Sequence, residues 1–340
     1  MTAKTVRVSV IILNYNGREY LRNLFVSLSN QSYTDFKIIL VDNSSSDDSL
    51  LLLSKILSTP PCNRLNVELV LNKENLGYCR GNNVGLEQAE GEYVVFLNND
   101  TYVSSSWLLE LVKVMDRCQS IGACQSRIIS AVTNRIQTDG WLLDQFGSTA
   151  ALVLPNHFID DCSTLPFYAS GTSLIVRCNV LKTIKGFDPM LFSGDFDFCW
   201  QIRLLGYDIA TVPKSACYHY GQVATRELYN SRELTLCSDK EFTRVFLKNH
   251  SGPVFFQLCR LITRMVVVSL FNSYKQKDPR YALFPSAAIL WNLKVLRNTL
   301  LLRGEIMQRK KNLNNPVKAE LFKGSIEITR RLRSKGVFNC

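Results

Sequence analysis

Through its first 115 residues the chain alternates short Val/Ile-rich runs with runs of helical period, and the strand-like runs give way to Asn- or Asp-bearing turns. Val6 to Leu13 reads as a buried strand followed by the turn Asn14-Tyr15-Asn16-Gly17. Tyr20, Leu21, Leu24, Phe25 and Leu28 then recur at helical spacing. Phe36 to Val41 is a second strand, ending at Asp42, with a helix from the Ser44–Asp48 cluster to about Leu57. Val67 to Leu71 is a third, followed by an Asn/Gly-rich turn and a helix to about Ala89. Tyr93 to Leu97 is a fourth, ending at Asn98-Asn99-Asp100, and Trp107 to Met115 is helical. Strand and helix in strict alternation imply a mainly parallel sheet with helices on both faces. Such a sheet takes its ligand beyond the carboxyl ends of its strands. Asn14 to Asn16, Asp42, Asn75 to Asn83 and Asn98 to Asp100 are therefore expected to converge on one crevice.

Further along, residues 121–176 read as irregular and β-rich, with a strand over Phe167 to Val176. A short strand over Ile209 to Val212 precedes Cys217-Tyr218-His219-Tyr220-Gly221. Between them, Gly194-Asp195-Phe196-Asp197 opens a run in which Phe196, Cys199, Trp200 and Arg203 repeat at helical spacing. Asp195 thus falls near a helix N-terminus, where the dipole favours an anion. A carboxylate held there beside a cleft is a candidate general base, and a helix cap is the plainer role for it or for Ser193.

Charge divides the chain. Residues 1–240 carry 21 Lys/Arg against 24 Asp/Glu, and residues 241–340 carry 19 against 5. The overall +11 therefore belongs to the last hundred residues. A basic tail on a slightly acidic body suits an anionic surface and argues against nucleic acid as the partner. The 11 cysteines are scattered without a Cys-x-x-Cys pair, which favours reduced thiols over a disulfide framework or a zinc site. No signal peptide and no charge-free apolar stretch of spanning length is read. A catalytic domain over 1–238 and a basic helical region over 239–340 are expected, with helix from about Phe242.

In their order and spacing, Val8-Ser9-Val10-Ile11-Ile12-Leu13-Asn14-Tyr15-Asn16, Val41-Asp42-Asn43, Asn75-Leu76-Gly77 through Gly85, Asn98-Asn99-Asp100, Ser170-Gly171-Thr172, Gly186-Phe187-Asp188 and Gly194-Asp195-Phe196-Asp197 resemble the family 2 glycosyltransferases of GT-A fold. The resemblance covers about residues 6–225 and is nearest to rhamnosyltransferase-like cell-envelope enzymes. It implies an inverting transfer of sugar from a UDP- or dTDP-linked donor to a hydroxyl of a glycan or lipid-linked acceptor. By the same resemblance Asp42 reads the nucleoside, Tyr15 packs on the base, and Asn14, Asn16, Asn75, Gly77, Asn82, Asn83, Asn98 and Asn99 serve the donor. Asp100, with His219 as a second ligand, would hold Mg or Mn. Asp195 would be the base, and Gly171, Asp197 and Trp200 would meet the acceptor. Two positions depart from the family pattern. Asn98 stands where a first Asp is usual, and Gly194 where a Glu precedes the base. A non-catalytic nucleotide-sugar binding module stays open on that ground, while a nucleotidyltransferase would want a Gly-rich basic loop after the first strand.

In the tail, Pro253 to Phe271 and Tyr281 to Leu302 are apolar but carry Arg260, Arg264, Lys294 and Arg297. These charges suit helices lying in a headgroup plane with the basic side chains directed outward. Arg309-Lys310-Lys311 and Arg330-Arg331-Leu332-Arg333 would add attraction to anionic lipid on the cytoplasmic face. A helical subdomain packed on the body, or an oligomer interface, is the alternative.

Overall fold

The structure, a computed structural model, describes residues 6–143, 149–154, 166–221, 230–250 and 254–311, with the backbone alone at 254–258 and 260. Pro253, the Arg260 side chain, the 330–333 cluster and parts of the irregular 130–168 region lie outside the described residues.

Apolar side chains at alternate positions make each central strand two-faced. Val8, Val10 and Ile12 of β1 (Val8–Asn14) enter one core layer, and Ile11 the other. The first layer is closed by α1 (Arg18–Ser29), α2 (Ser49–Leu57) and α4 (Trp107–Arg117). Residues from α3 (Gly77–Glu87), α5 (Cys178–Ile184), α6 (Asp195–Leu204) and α7 (Ser231–Asn249) fill the second. Strands buried on both faces need nearly continuous apolar sequence, which is what β1, β2 (Phe36–Asp42) and β4 (Tyr93–Asn98) have.

The main sheet runs β3-β2-β1-β4-β10-β6-β11-β5, with β7 (Ile136–Thr138) paired to β6. Here β3 is Val67–Leu71, β5 Thr101–Val103, β6 Ile121–Ser130, β10 Ser173–Arg177 and β11 Asp208–His219. β1 to β4 are parallel, as are β6 and β11, whereas β10 runs antiparallel to both its neighbours. A hairpin of β8 (Trp141–Leu143) and β9 (Thr149–Ala151) lies apart. This is the expected mixed, mainly parallel GT-A architecture.

Local boundaries differ where tertiary pairing overrides pattern. The strand expected over Phe167 to Val176 is confined to Ser173–Arg177, because Tyr168 bridges to Trp141 instead. The short strand at Ile209 to Val212 runs on to His219 through an irregularity between Val212 and Ala216. The helix expected from about Phe242 begins at Ser231. Asn230 and Glu233 form a reciprocal capping box at its start.

The expected division at 238/239 falls inside α7, a continuous helix. A buried ionic cluster binds that helix to the body. Arg244 and Lys248 of α7 donate to Asp188, and Lys248 also donates to Asp197 of α6 at 2.8 Å. Burial alone would raise the Asp188 pKa, but Lys248 and Arg244 hold it below the usual carboxylate range. The helices that follow are α8 (Val254–Gln276), α9 (Phe284–Lys294) and α10 (Leu296–Lys311). None of the described helices is long and apolar enough to cross a membrane. The nine described cysteines are free.

Candidate active site

The carboxyl ends of β1 and β4, the N-terminal turn of α3 and the start of α6 enclose a cleft of about 1150 Å³. Tyr15, Asn75, Gly77, Asn82, Asn98, Asn99, Asp100, Gly171, Asp195 and His219 all line it. Residues scattered over two hundred positions thus meet at one place, because a parallel sheet presents all its carboxyl ends to one side.

Asp195 is the first residue of α6, after Gly194 in the left-handed conformation at φ 71°. One carboxylate oxygen accepts the Gly171 N–H at 2.9 Å. The other, Oδ1, is buried beside the Tyr78 hydroxyl, whose hydrogen bond favours the ionised carboxylate. A Cβ on Gly171 would lie 2.5 Å from that Oδ1 and collide with the Tyr78 hydroxyl, so only glycine leaves room for the carboxylate here. Burial drives the Asp195 pKa from 3.8 to about 7, with a contribution from Glu241, while the Gly171 N–H opposes the rise. A carboxylate tuned near neutrality on a residue that lines a cleft has the attributes of a general base.

Asp100 and His219 meet on the far side of β4. His219 Nε2 lies 3.3 Å from Asp100 Oδ1. His219 Nδ1 is 3.2 Å from Gln137 Oε1. With the Nδ1 proton given to that amide oxygen, Nε2 would be free to accept a metal ion, which is how a metal-binding imidazole is oriented. Nε2 is buried and without a hydrogen-bond partner. A lone pair beside a carboxylate oxygen fits a shared cation, although no group of three or more His, Cys, Asp or Glu gathers among the described residues. Two protein ligands suit a cation completed by phosphate oxygens.

Several expected site residues are placed elsewhere. Asp197 is fully buried and accepts from Lys248, Asn249 and Gln201. Trp200 is 1% exposed among Phe167, Phe196 and Phe246. Neither has surface for an acceptor, and the apolar walls of the cleft come from Trp141, Met190, Phe192 and Trp291 instead. The Asn83 amide accepts from Phe187 N and donates to Phe187 O, stapling the loop before Asp188 rather than facing the cleft. Asn16 is absent from the cleft wall and accepts from Ser46 N, while Asn14 is buried and donates to Asp42. Asp42 is 3% exposed, behind the wall, accepting from Asn14 and from both the N–H and hydroxyl of Ser45. Its immediate role is to fix the 42–46 loop, and the adjacent Asn43 reaches the cleft.

One residue of consequence escaped the sequence reading. Glu241 of α7 accepts from Ser193 N, Ser193 Oγ and Gly194 N, so a helix outside the recognised motifs clamps the turn that carries Asp195. Burial raises its pKa, opposed by the N–H groups of Ser193 and Gly194. Its neighbour Lys240 lines the cleft. The Asn230-x-x-Glu233 capping signal marks the helix that bears them, but nothing in its spacing points to the Ser193 turn.

Residues 9–169 match the profile of glycosyl transferase family 2. Over this segment, just under half of the chain, the sequence is similar to that family. An uncharacterized glycosyltransferase of Haemophilus influenzae is 26% identical over 193 residues, 56% of each chain. The amylovoran biosynthesis glycosyltransferase AmsB of Erwinia amylovora is 26% identical over 224 residues, 64% of this chain and 70% of AmsB. The chain thus spans about half the length of the Haemophilus relative. Among solved structures, Staphylococcus aureus TarS 1–349 in complex with UDP-GlcNAc superposes with a TM-score of 0.59 at 20% identity, covering 96% of this chain and 92% of that one. The mannosyltransferase PcManGT of Pyrobaculum calidifontis, in complex with GDP-Man and Mn2+, gives 0.54 at 16% identity over 96% and 87%. At such identities these two speak for the fold.

Proposed function

We propose that the chain is an inverting glycosyltransferase that moves a sugar from a UDP- or dTDP-sugar to a hydroxyl of a glycan or lipid-linked acceptor. The observation that carries this reading is the buried Asp195 carboxyl, its pKa raised to about 7, in the same cleft as the Asp100/His219 pair. Asp195 accepts the proton of the acceptor hydroxyl, whose oxygen attacks the anomeric carbon from the face opposite the diphosphate. The bond from that carbon to the diphosphate oxygen breaks, and configuration inverts. Gly171 N–H and the Glu241-clamped turn keep the carboxylate aimed through the step. Asp100 and His219 would hold Mg or Mn, which when bound supplies positive charge to the leaving diphosphate. Tyr15, Asn43 and Asn75 offer a ring and amides for the nucleoside. A screen of nucleotide-sugars for release of nucleoside diphosphate, with Mg or Mn added, tests the reading. Turnover of at least one donor that is lost in Asp195→Asn is expected; a protein that binds a donor and never cleaves it would be a binding module.

The C-terminal helices are proposed to rest on an anionic membrane at the cytoplasmic face. In α8, Leu261, Met265 and Ser269 point inward, yet the outer face is also apolar, with Val267 60%, Phe271 62% and Tyr274 85% exposed. An outer apolar face bordered by the exposed Lys275 and Lys277 suits the interfacial zone. Arg264 does not point outward as expected: its guanidinium lies 4.4 Å from the Phe242 ring centre, facing the body. Because α7 crosses residue 238, the test uses the whole chain. Leu270→Glu with Phe271→Glu should abolish co-sedimentation with anionic vesicles, and unchanged sedimentation would refute the proposal. A change in oligomeric state in place of any vesicle binding would make this face a contact between copies.

A further inference from the structure

On the opposite side of the β5–β11 ribbon from His219 lies a second, shallow groove of about 570 Å³, bounded by α1. Side chains alternate across a strand, so Tyr218 and Tyr220 share the face that His219 leaves. Tyr102 of β5 is the register partner of Tyr218, and their rings stack at 4.7 Å and 5°. Tyr220 stands 6.0 Å from Tyr102 and 4.9 Å from Tyr20 of α1, completing a run of four partly exposed tyrosines, of which Tyr102 and Tyr220 line the groove. The exposed Asn23 donates to the Tyr220 hydroxyl at 2.9 Å, and Asn30 adds a second exposed amide to the rim. Among the described residues, no charged side chain lines the groove. No described residue fills it.

We propose that this face is a subsite for an extended neutral glycan. Tyrosine rings present flat apolar faces to the C–H surfaces of pyranoses, while the phenol and amide groups meet hydroxyls. A lipid headgroup or nucleic acid would want cationic side chains, and a buried protein interface would want fewer exposed amides. Tyr220 N donates to Asp100 O at 3.0 Å, and Tyr102 follows Asp100 by two residues. The tyrosine face thus shares its backbone with the cleft wall, and the ligand class rests on the glycan-acceptor reading of the cleft.

The test is binding of the full chain to immobilised linear oligosaccharides (β-glucan, chitin, mannan and galactan fragments), beside the double variant Tyr102→Ala/Tyr220→Ala and the milder Asn23→Ala. Wild type should bind at least one of these chains. The double variant should lose about tenfold or more in affinity and Asn23→Ala a smaller factor, while both still unfold cooperatively and retain the donor-cleavage rate. Binding of none of the oligosaccharides by wild type, or equal binding by wild type and variants, overturns the subsite. So does a change in oligomeric state caused by the variants, which would make the platform a self-contact. Donor cleavage, read separately, reports on the cleft: its absence would refute the transferase reading while leaving glycan binding to be scored on its own.

Discussion

Replacing Asp195 by Asn should separate catalysis from stability, because the same burial serves both. The carboxyl is held at about 7 in the folded chain against 3.8 ordinarily. A raised native pKa means the folded state keeps a proton that the unfolded chain releases. The stabilisation is full below about pH 3.8 and fades as pH rises to about 7, beyond which the cost of the ionised group is constant. Three units would amount to roughly 4 kcal/mol if fully realised. Relaxation of the site, which makes the effective dielectric even of buried positions well above that of dry protein, reduces this to about 1–2 kcal/mol. Asn accepts the Gly171 N–H equally well and can offer its amide to the neighbouring Tyr78 hydroxyl. Urea unfolding should therefore show the variant more stable than wild type at pH 8 by about 1–2 kcal/mol and nearly equal to it at pH 4. Sugar transfer should fall about a hundredfold or more with donor affinity nearly unchanged. A variant less stable than wild type at pH 8, or one that still turns over normally, would refute the desolvated base.

Other consequences follow from the same contacts. Transfer should rise with pH to a plateau above about 7, and Glu241→Gln, by removing a nearby negative charge, should move that rise to lower pH; an unmoved profile would disconnect Glu241 from Asp195. Chelation should abolish transfer, and Asp100→Ala should erase the difference in donor affinity with and without Mg or Mn; equal affinities in wild type would contradict the proposed cation site, and His219→Ala tests the imidazole alone. Lys248→Met leaves Asp188 and Asp197 short of a cation and should cost about 3–5 kcal/mol in unfolding free energy; a cost under about 1 kcal/mol would mean that cluster is not what joins α7 to the body. Asp42→Ala should lower the melting temperature through the 42–46 loop; loss of UDP affinity with unchanged melting would return Asp42 to direct contact with the nucleoside.

The alternation of strand and helix was readable because each element to Met115 carries its own period and its own turn. The gathering of Tyr15, Asn75, Asn98 and Asp100 on one cleft was readable too, since a parallel sheet aligns strand ends whatever their sequence separation. What period cannot report is which face of a buried helix meets the site. Asp197 and Trp200 sit two and five residues beyond Asp195, yet both turn into the core, where Lys248 and Phe246 wait for them. Glu241 shows the converse: its partners are the backbone N–H groups of a turn nearly fifty residues away, and backbone donors leave no mark in sequence. The boundary drawn at 238/239 followed a change in charge, but the new cations include Arg244 and Lys248, which are buried counter-ions rather than surface charge.

The most direct test of the account is the configuration of the first-formed product. With a donor found to turn over, the anomer transferred to acceptor, or released to water, is followed by NMR before mutarotation. A single displacement assisted by Asp195 predicts a β product from an α-linked donor, absent in Asp195→Asn. An α product, retained from the donor, would contradict it.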